Sequence, residues 1–181
     1  MIDEILLTQD DFAPYRDISE NVDFERLTPW ILEAQKIEMR TFLGPELYLK
    51  MITDFDGTVF LDPIYNDLWE GTDTVNYRFY GLKPVIIYFA YARFLKNQPV
   101  VVTRYGVKNL VNDSSNDNGP GSTRVKQAEA ENMAISLQTD CETFLTQYPN
   151  DYPDYQTRRG GVNQKNNYIN ISRGGRWAGL I

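Results

Sequence analysis

Leu27–Met51, LTPWILEAQKIEMRTFLGPELYLKM, is the stretch on which the fold turns. Thr28 is a good N-cap, and Pro29 suits the first helical position because its missing N–H is no loss there, so the sequence predicts a helix running to Leu43. Gly44 ends it. Pro45 opens a second helix at once, which makes the pair a helical hairpin with almost no loop. At 100° per residue, Trp30, Ile31, Leu32, Ala34, Ile37, Met39, Phe42 and Leu43 cover most of the circumference, and only Glu33, Lys36 and Arg40 form a clean polar stripe. Gln35 and Glu38 fall inside the apolar arc and need partners. Two accounts fit so wide an arc: the central helix of a monomeric bundle, or a helix shared between its own core and an adjacent subunit. Under the second account Trp30, Gln35, Glu38 and Phe42 are interface residues.

The remaining elements follow from similar signals. Residues 1–22 mix Ile5, Leu6 and Leu7 with a polar run and predict an arm or a short helix. Asp54–Asp62 resembles a calcium loop only superficially, because it lacks the further oxygen ligands and terminal Glu of that motif, and a turn at Asp56-Gly57 is the better account. Asp62-Pro63 starts a short helix to about Trp69, closed by Gly71. Leu82–Lys96, with eight consecutive apolar or aromatic residues at Val85–Ala92, is too long for an ordinary strand and predicts a buried helix. The period then changes to two. Val100–Arg104 and Val107–Val111 flank Tyr105-Gly106 and predict a β-hairpin whose tip exposes Arg104 and Tyr105, and whose edges pair either with Tyr168–Ile171 or with a neighbouring subunit. Asn112–Thr123 predicts a loop. From Ser122 a long helix runs to about Tyr148, with Ala130, Ala134, Leu137, Cys141, Phe144 and Tyr148 at alternating spacings of four and three.

Composition narrows the chemistry. The 181-residue chain has no histidine, which removes the usual general base, the Ser/His and Cys/His pairs and His-based metal sites. Neither a cofactor nor a metal ion is expected. Cys141 is its one cysteine, and its position in the helical seam predicts a small buried hydrophobe rather than a nucleophile. No run approaches a membrane span, and the acidic N-terminus is unlike a signal peptide, so a cytoplasm-like compartment is expected. Charge is laid out unevenly: net −12 over residues 1–73, zero over 74–155, and +5 over 156–181. An acidic body with a basic tail suggests electrostatic docking of the tail.

The organisation expected is therefore mainly α: a small helical bundle over residues 1–155 with a β-hairpin near 100–111, and an extended basic arm over 156–181. The arm carries two boxes, Arg158-Arg159-Gly-Gly and Arg173-Gly-Gly-Arg176, with Tyr168 and Trp177 as aromatic anchors. Too few apolar residues lie there for a separate core.

Ala34-Gln35, the Leu43-Gly44 turn followed by Leu47-Tyr48, Thr103-Arg104-Tyr105-Gly106-Val107, the long closing helix and Tyr152-Pro153-Asp154-Tyr155 occur in an order that resembles the head-to-tail connector proteins of tailed bacteriophages, most closely the neck or ring proteins of crAss-like and related Bacteroidetes phages. The resemblance covers roughly residues 24–155. It implies a structural virion protein, not an enzyme, that assembles in the host cytoplasm as a ring, usually of twelve, beneath the portal. Its partners would be itself, the portal protein and other neck or tail ring proteins, with DNA passing through the channel without sequence-specific contact and no membrane involved. Arg158, Arg159, Tyr168, Arg173, Arg176 and Trp177 would then dock the arm on a neighbour. Two rivals stand beside this. The Arg-Gly-Gly tail suits nucleic-acid binding by phosphate contact and base stacking. A carboxylate hydrolase would use a pair among Glu33, Glu38, Asp54 and Asp56.

Overall fold

A computed structural model describes residues 5–15, 24–75, 77–97, 100–103, 106–109 and 120–155, with backbone only for 100–103, 106–109 and 120–122. The protein is mainly helical with a small antiparallel hairpin, as expected. Its helices are α1 (Phe24–Ala34), α2 (Arg40–Leu43), α3 (Pro45–Asp54), α4 (Pro63–Glu70), α5 (Lys83–Asn97) and α6 (Pro120–Gln147). A π-helical turn, Gln35–Met39, joins α1 to α2 without a break.

α5 is the centre. Pro84, Val85, Ile86, Ile87, Tyr88, Ala90, Ala92, Phe94 and Leu95 are buried along it, because α1 packs on one side and α6 on the other. α6, about 42 Å long, packs along α5, buries Ala130, Ala134, Cys141, Phe144 and Leu145, and sets Ala130 and Ala134 beside Tyr88 and Ala92 of α5. Small residues in this stripe let the two backbones approach. The predicted seam holds, with Leu137 and Tyr148 partly buried at its margin.

The first helix departs from expectation at its start. Pro29 lies inside α1 rather than at its first position, and Thr28 Oγ1 donates back to Phe24 O (3.1 Å) instead of capping. Leu27, Ile31 and Ala34 form one buried stripe, so burial of Leu27 draws the turn before Pro29 into the helix. Proline there leaves the carbonyl four residues earlier without its helical donor, a local loss that this packing outweighs.

The π turn explains the wide apolar arc. Before it the buried apolar residues are Leu27, Ile31 and Ala34; from its last residue onward they are Met39, Phe42 and Leu43. On a 100° wheel the second set is displaced from the first by about one residue, which is what a single-residue π insertion produces. Ile37 belongs to neither set and is 49% exposed. The arc is thus two ordinary stripes in different phase, and its breadth does not by itself require a second subunit.

The N-terminal segment is not a detached arm. Leu6, Leu7 and Phe12 enter the main core, and a 3-10 turn at Asp10–Phe12 is held by Thr8, whose N–H and Oγ1 donate to Asp11 Oδ2 (2.7 and 2.8 Å). In the Asp54–Asp62 loop, Asp56 Oδ1 accepts from Thr58 N, Thr58 Oγ1 and Val59 N, and these donors hold its carboxyl below the usual range. The aspartate is occupied in making the turn. Asp62 caps α4 through Ile64 N (2.9 Å), as its position before proline predicts.

Between α4 and α5 lies a short hairpin that no local pattern signals, formed by two-residue strands β1 (Thr72–Asp73) and β2 (Arg78–Phe79). It is clamped at its base by Gly71 and Gly81, both at positive φ, and a Cβ at Gly81 would lie 2.4 Å from Trp69 O. Only glycine fits so close a backbone approach. Phe79 of this hairpin stacks on Phe144 of α6, with ring centroids 4.0 Å apart.

The larger hairpin pairs β3 (Val100–Thr103) with β4 (Gly106–Asn109), with Thr103 opposite Gly106. Its connection is therefore residues 104–105, not Tyr105-Gly106, and Gly106 is a strand residue. α6 begins at Pro120 rather than Ser122, since proline's fixed φ suits a first helical turn, and this shortens the expected loop.

Candidate functional site

α5 lies between α1 and α6, and above it runs a groove walled by those two helices. Its wider part, about 520 Å³, is lined by Trp30, Glu33 and Glu38 on one wall, by Phe89, Ala92, Arg93, Lys96 and Asn97 on the floor, and by Glu131 and Ile135 of α6. A narrower part, about 120 Å³, continues past Ile135 to Phe42, Gln138, Thr139, Glu142 and Tyr155. Ile135 belongs to both, and it is 54% exposed.

Arg93 organises the wider part. Its guanidinium donates to Glu33 Oε2 (2.8 Å) and to Glu38 Oε1 (2.5 Å). The π turn helps make this possible, since it sets the phase of the residues that follow Ala34. Partial burial of Arg93 works against its charge, and the two carboxylates outweigh that effect. Glu38 Oε2 is shielded from solvent and has no hydrogen-bond partner among the described residues. Asn97 Nδ2 donates to Arg93 O (2.7 Å) and finishes the helix.

Of the residues expected at a subunit interface, Trp30, Glu38 and Phe42 line this groove. Gln35 does not. It is 1% exposed, and its Oε1 accepts from Leu6 N (3.1 Å), so it ties the N-terminal segment to the π turn inside one subunit. Gln35 is a core residue, and its burial corrects the expectation that it faces a neighbour. Arg104, Tyr105, Arg158, Arg159, Tyr168, Arg173, Arg176 and Trp177 lie outside the described residues. Sequence reasoning missed Arg93, although it is the one charged residue in Val85–Leu95 and so marked itself. It also missed Glu131, Ile135 and Glu142, which no local pattern singles out.

The four carboxylates of the hydrolase rival divide into two unrelated pairs. Glu33 and Glu38 share one guanidinium, while Asp54 Oδ2 accepts from Asp62 N (2.9 Å) and Asp56 accepts from its own turn. Cys141 is buried, its Sγ donates to Gly81 O (3.4 Å), and burial pushes its thiol well above the usual range, which suits a packing residue. Among the described residues no group of three or more Cys, Asp or Glu side chains is placed to hold a metal ion, and no helix is long and apolar enough to cross a membrane.

The chain leaves the bundle at the narrow end of the groove. Beyond α6, Tyr148–Tyr155 turns back along that helix. Tyr152 is buried and donates from its hydroxyl to Ile64 O (2.8 Å), Lys50 pairs with Asp154, and Tyr155 packs on Phe42 with ring centroids 5.8 Å apart. Residues 39–164, more than half of the chain, match the profile of a family of unknown function, DUF6712. The chain belongs to this family. The DUF6712 match opens at the end of the π turn, includes α2 to α6, and extends nine residues past Tyr155, so that it takes in the first Arg-Gly-Gly box and stops before the second. Neither a curated protein nor a solved structure matches the chain.

Proposed function

We propose that this protein is a structural subunit of a tailed-phage neck, a head-to-tail connector that closes into a ring beneath the portal and contributes to the channel through which DNA passes. The sequence resemblance over residues 24–155 supports the class. The observation that carries the ring is the presence of two separate sets of exposed apolar side chains on different elements. One set, Val125 and Met133, lies on one face of α6; the other, Leu49, Val59, Leu61 and Ile64, lies around α3 and α4. A closed ring is built from heterologous contacts, in which each subunit offers one patch to the neighbour on its left and a different one to the neighbour on its right. Apolar residues in both sets fit that requirement. The groove chemistry agrees in kind: Arg93 is engaged by Glu33 and Glu38 as a structural clamp between α1 and α5, with no Ser, Thr or Cys side chain lining the wider part of the groove among the described residues.

Imaging the purified protein, alone and with its portal, tests this. A closed ring is the expected result, and a protein that stays monomeric under both conditions overturns it. The nucleic-acid rival predicts instead that the isolated subunit binds DNA with a steep salt dependence.

A further inference from the structure

The groove between α1 and α6 is acidic, partly apolar and open, and the segment that leaves the bundle is already aimed along it. Tyr148–Tyr155 reverses the chain, so that Tyr155 stands level with Gln138–Glu142 after α6 has ended at Gln147. Continuing that heading carries the chain toward Ile135 and Glu131. We propose that residues 156–164 occupy this groove of their own subunit, running antiparallel to α6, with Arg158 and Arg159 placed on the carboxylates of Glu131, Glu142 and Glu38.

Three independent observations support the occupant. The first is reach. Arg158 is three residues beyond Tyr155, about 10 Å of extended chain, and Ile135 lies about 10 Å along α6 from Glu142. The second is charge. Glu33, Glu38, Glu131 and Glu142 line the groove against Arg93, which is already paired, and Lys96, while residues 156–164 carry two arginines and no acid. Glu38 Oε2 in particular has no donor among the described residues. The third is the family boundary, which keeps residues 156–164 with the bundle and leaves the remainder outside. The two Arg-Gly-Gly boxes then have different work. The first fixes where the arm leaves the body; the second, with Trp177, is assigned to a partner.

The test uses the full chain carrying Ile135→Cys and Gly160→Cys, treated with a short bis-maleimide and mapped by mass spectrometry on a mixture of light and heavy-isotope protein. Cys141 is buried and stays in place. Links between positions 135 and 160 within one chain are expected, at several times the yield of a control pair, Ile135→Cys with Gly175→Cys. Adding Glu131→Lys and Glu142→Lys should lower the 135–160 yield at least about threefold, as loss of partly exposed ion pairs implies. Mixed light–heavy links would assign the groove to a neighbour's arm and overturn the proposal, and so would equal yields at 160 and 175. The link within one chain and the comparison of positions 160 and 175 do not need a ring, so failure here and failure of the connector reading are distinguishable.

Discussion

α5 and the α1–α2 helix look alike in sequence, each apolar around most of its circumference, and they owe that to different causes. α5 is apolar round most of its circumference because α1 covers it on one side and α6 on the other, leaving the groove floor open. The α1–α2 helix is covered along one narrow face at a time, and the face rotates across the Gln35–Met39 turn. A helical wheel assumes a constant 100° step and superimposes the two faces. Breadth of an apolar arc therefore measures burial only when the helix is regular.

Deleting one residue from each helix separates the two cases most sharply. Removing Ile37 takes out the extra residue of the π turn, brings Leu27, Ile31 and Ala34 into phase with Met39, Phe42 and Leu43, and should cost about 1–2 kcal/mol, the ordinary range for a tolerated change. Removing Tyr91 from α5 turns Ala92, Phe94 and Leu95 away from their places with no compensating register, and should cost more than about 4 kcal/mol and leave the protein largely unfolded at 25 °C. Urea titrations followed by circular dichroism report both. Equal losses would show that the π turn is not an insertion.

The Arg93 clamp joins the two helices, and its removal comes next in size. Arg93→Met leaves Glu38 partly buried without its cation, with an expected loss of about 1 kcal/mol after allowance for solvent screening. Glu38→Leu removes the stranded carboxylate, so the double variant should recover most of that loss. A double variant less stable than Arg93→Met alone would mean that Glu38 has another essential partner.

A third measurement separates the α5 start from the rest through pH. Lys83, at the first position of α5, pairs with Asp11 Oδ1 (2.9 Å) and Glu70 Oε1 (2.6 Å). Burial raises the Asp11 carboxyl, but the Thr8 N–H, Lys83 and the Thr8 hydroxyl outweigh it and the net position is below the usual value. Its contribution is thus full above the unfolded value of about 4 and is lost as pH falls through the folded one. For Lys83, burial lowers and the two carboxylates raise, with a net upward position, so its contribution is full below about 10 and is lost as pH rises through the folded value. Asp11→Asn should cost about 1 kcal/mol at pH 7 and progressively less as pH falls below about 4. A cost that does not shrink in acid would place the effect in packing of the N-terminal segment instead.

Much of this architecture was legible because single residues punctuate it. Gly44 ends α2, Asp62-Pro63 starts α4, Gly71 closes it, and the four-three spacing from Ala130 to Tyr148 gave the seam of α6. Pattern failed where tertiary contacts override local preference. Thr28-Pro29 is a good helix start that burial of Leu27 pulled into the interior, and Leu6 and Leu7 read as an arm because nothing nearby in sequence shows Gln35 waiting for Leu6 N. The groove was half legible for the same reason. Trp30, Glu38 and Phe42 were singled out within one helix, whereas Ile135, Glu131 and Glu142 join them only because α6 folds back across α5.

The smallest expected change in stability decides whether the α1–α2 helix is shared with a neighbour. Ile37 sits in the π turn, off both buried stripes and half exposed, so a subunit standing alone gains little from its apolar side chain. Ile37→Glu should shift stability by no more than about 0.5 kcal/mol. In a ring that seats a neighbour on this helix the same change puts a charge into a desolvated contact, and association should weaken by far more than folding does. Mass photometry across a dilution series, alongside a thermal melt of the same sample, reads the two effects separately. Weakened assembly with an unchanged melt places the neighbour on the π turn. Unchanged assembly removes the α1–α2 helix from the interface, and the ring must then be built from α6 and the α3–α4 patch alone.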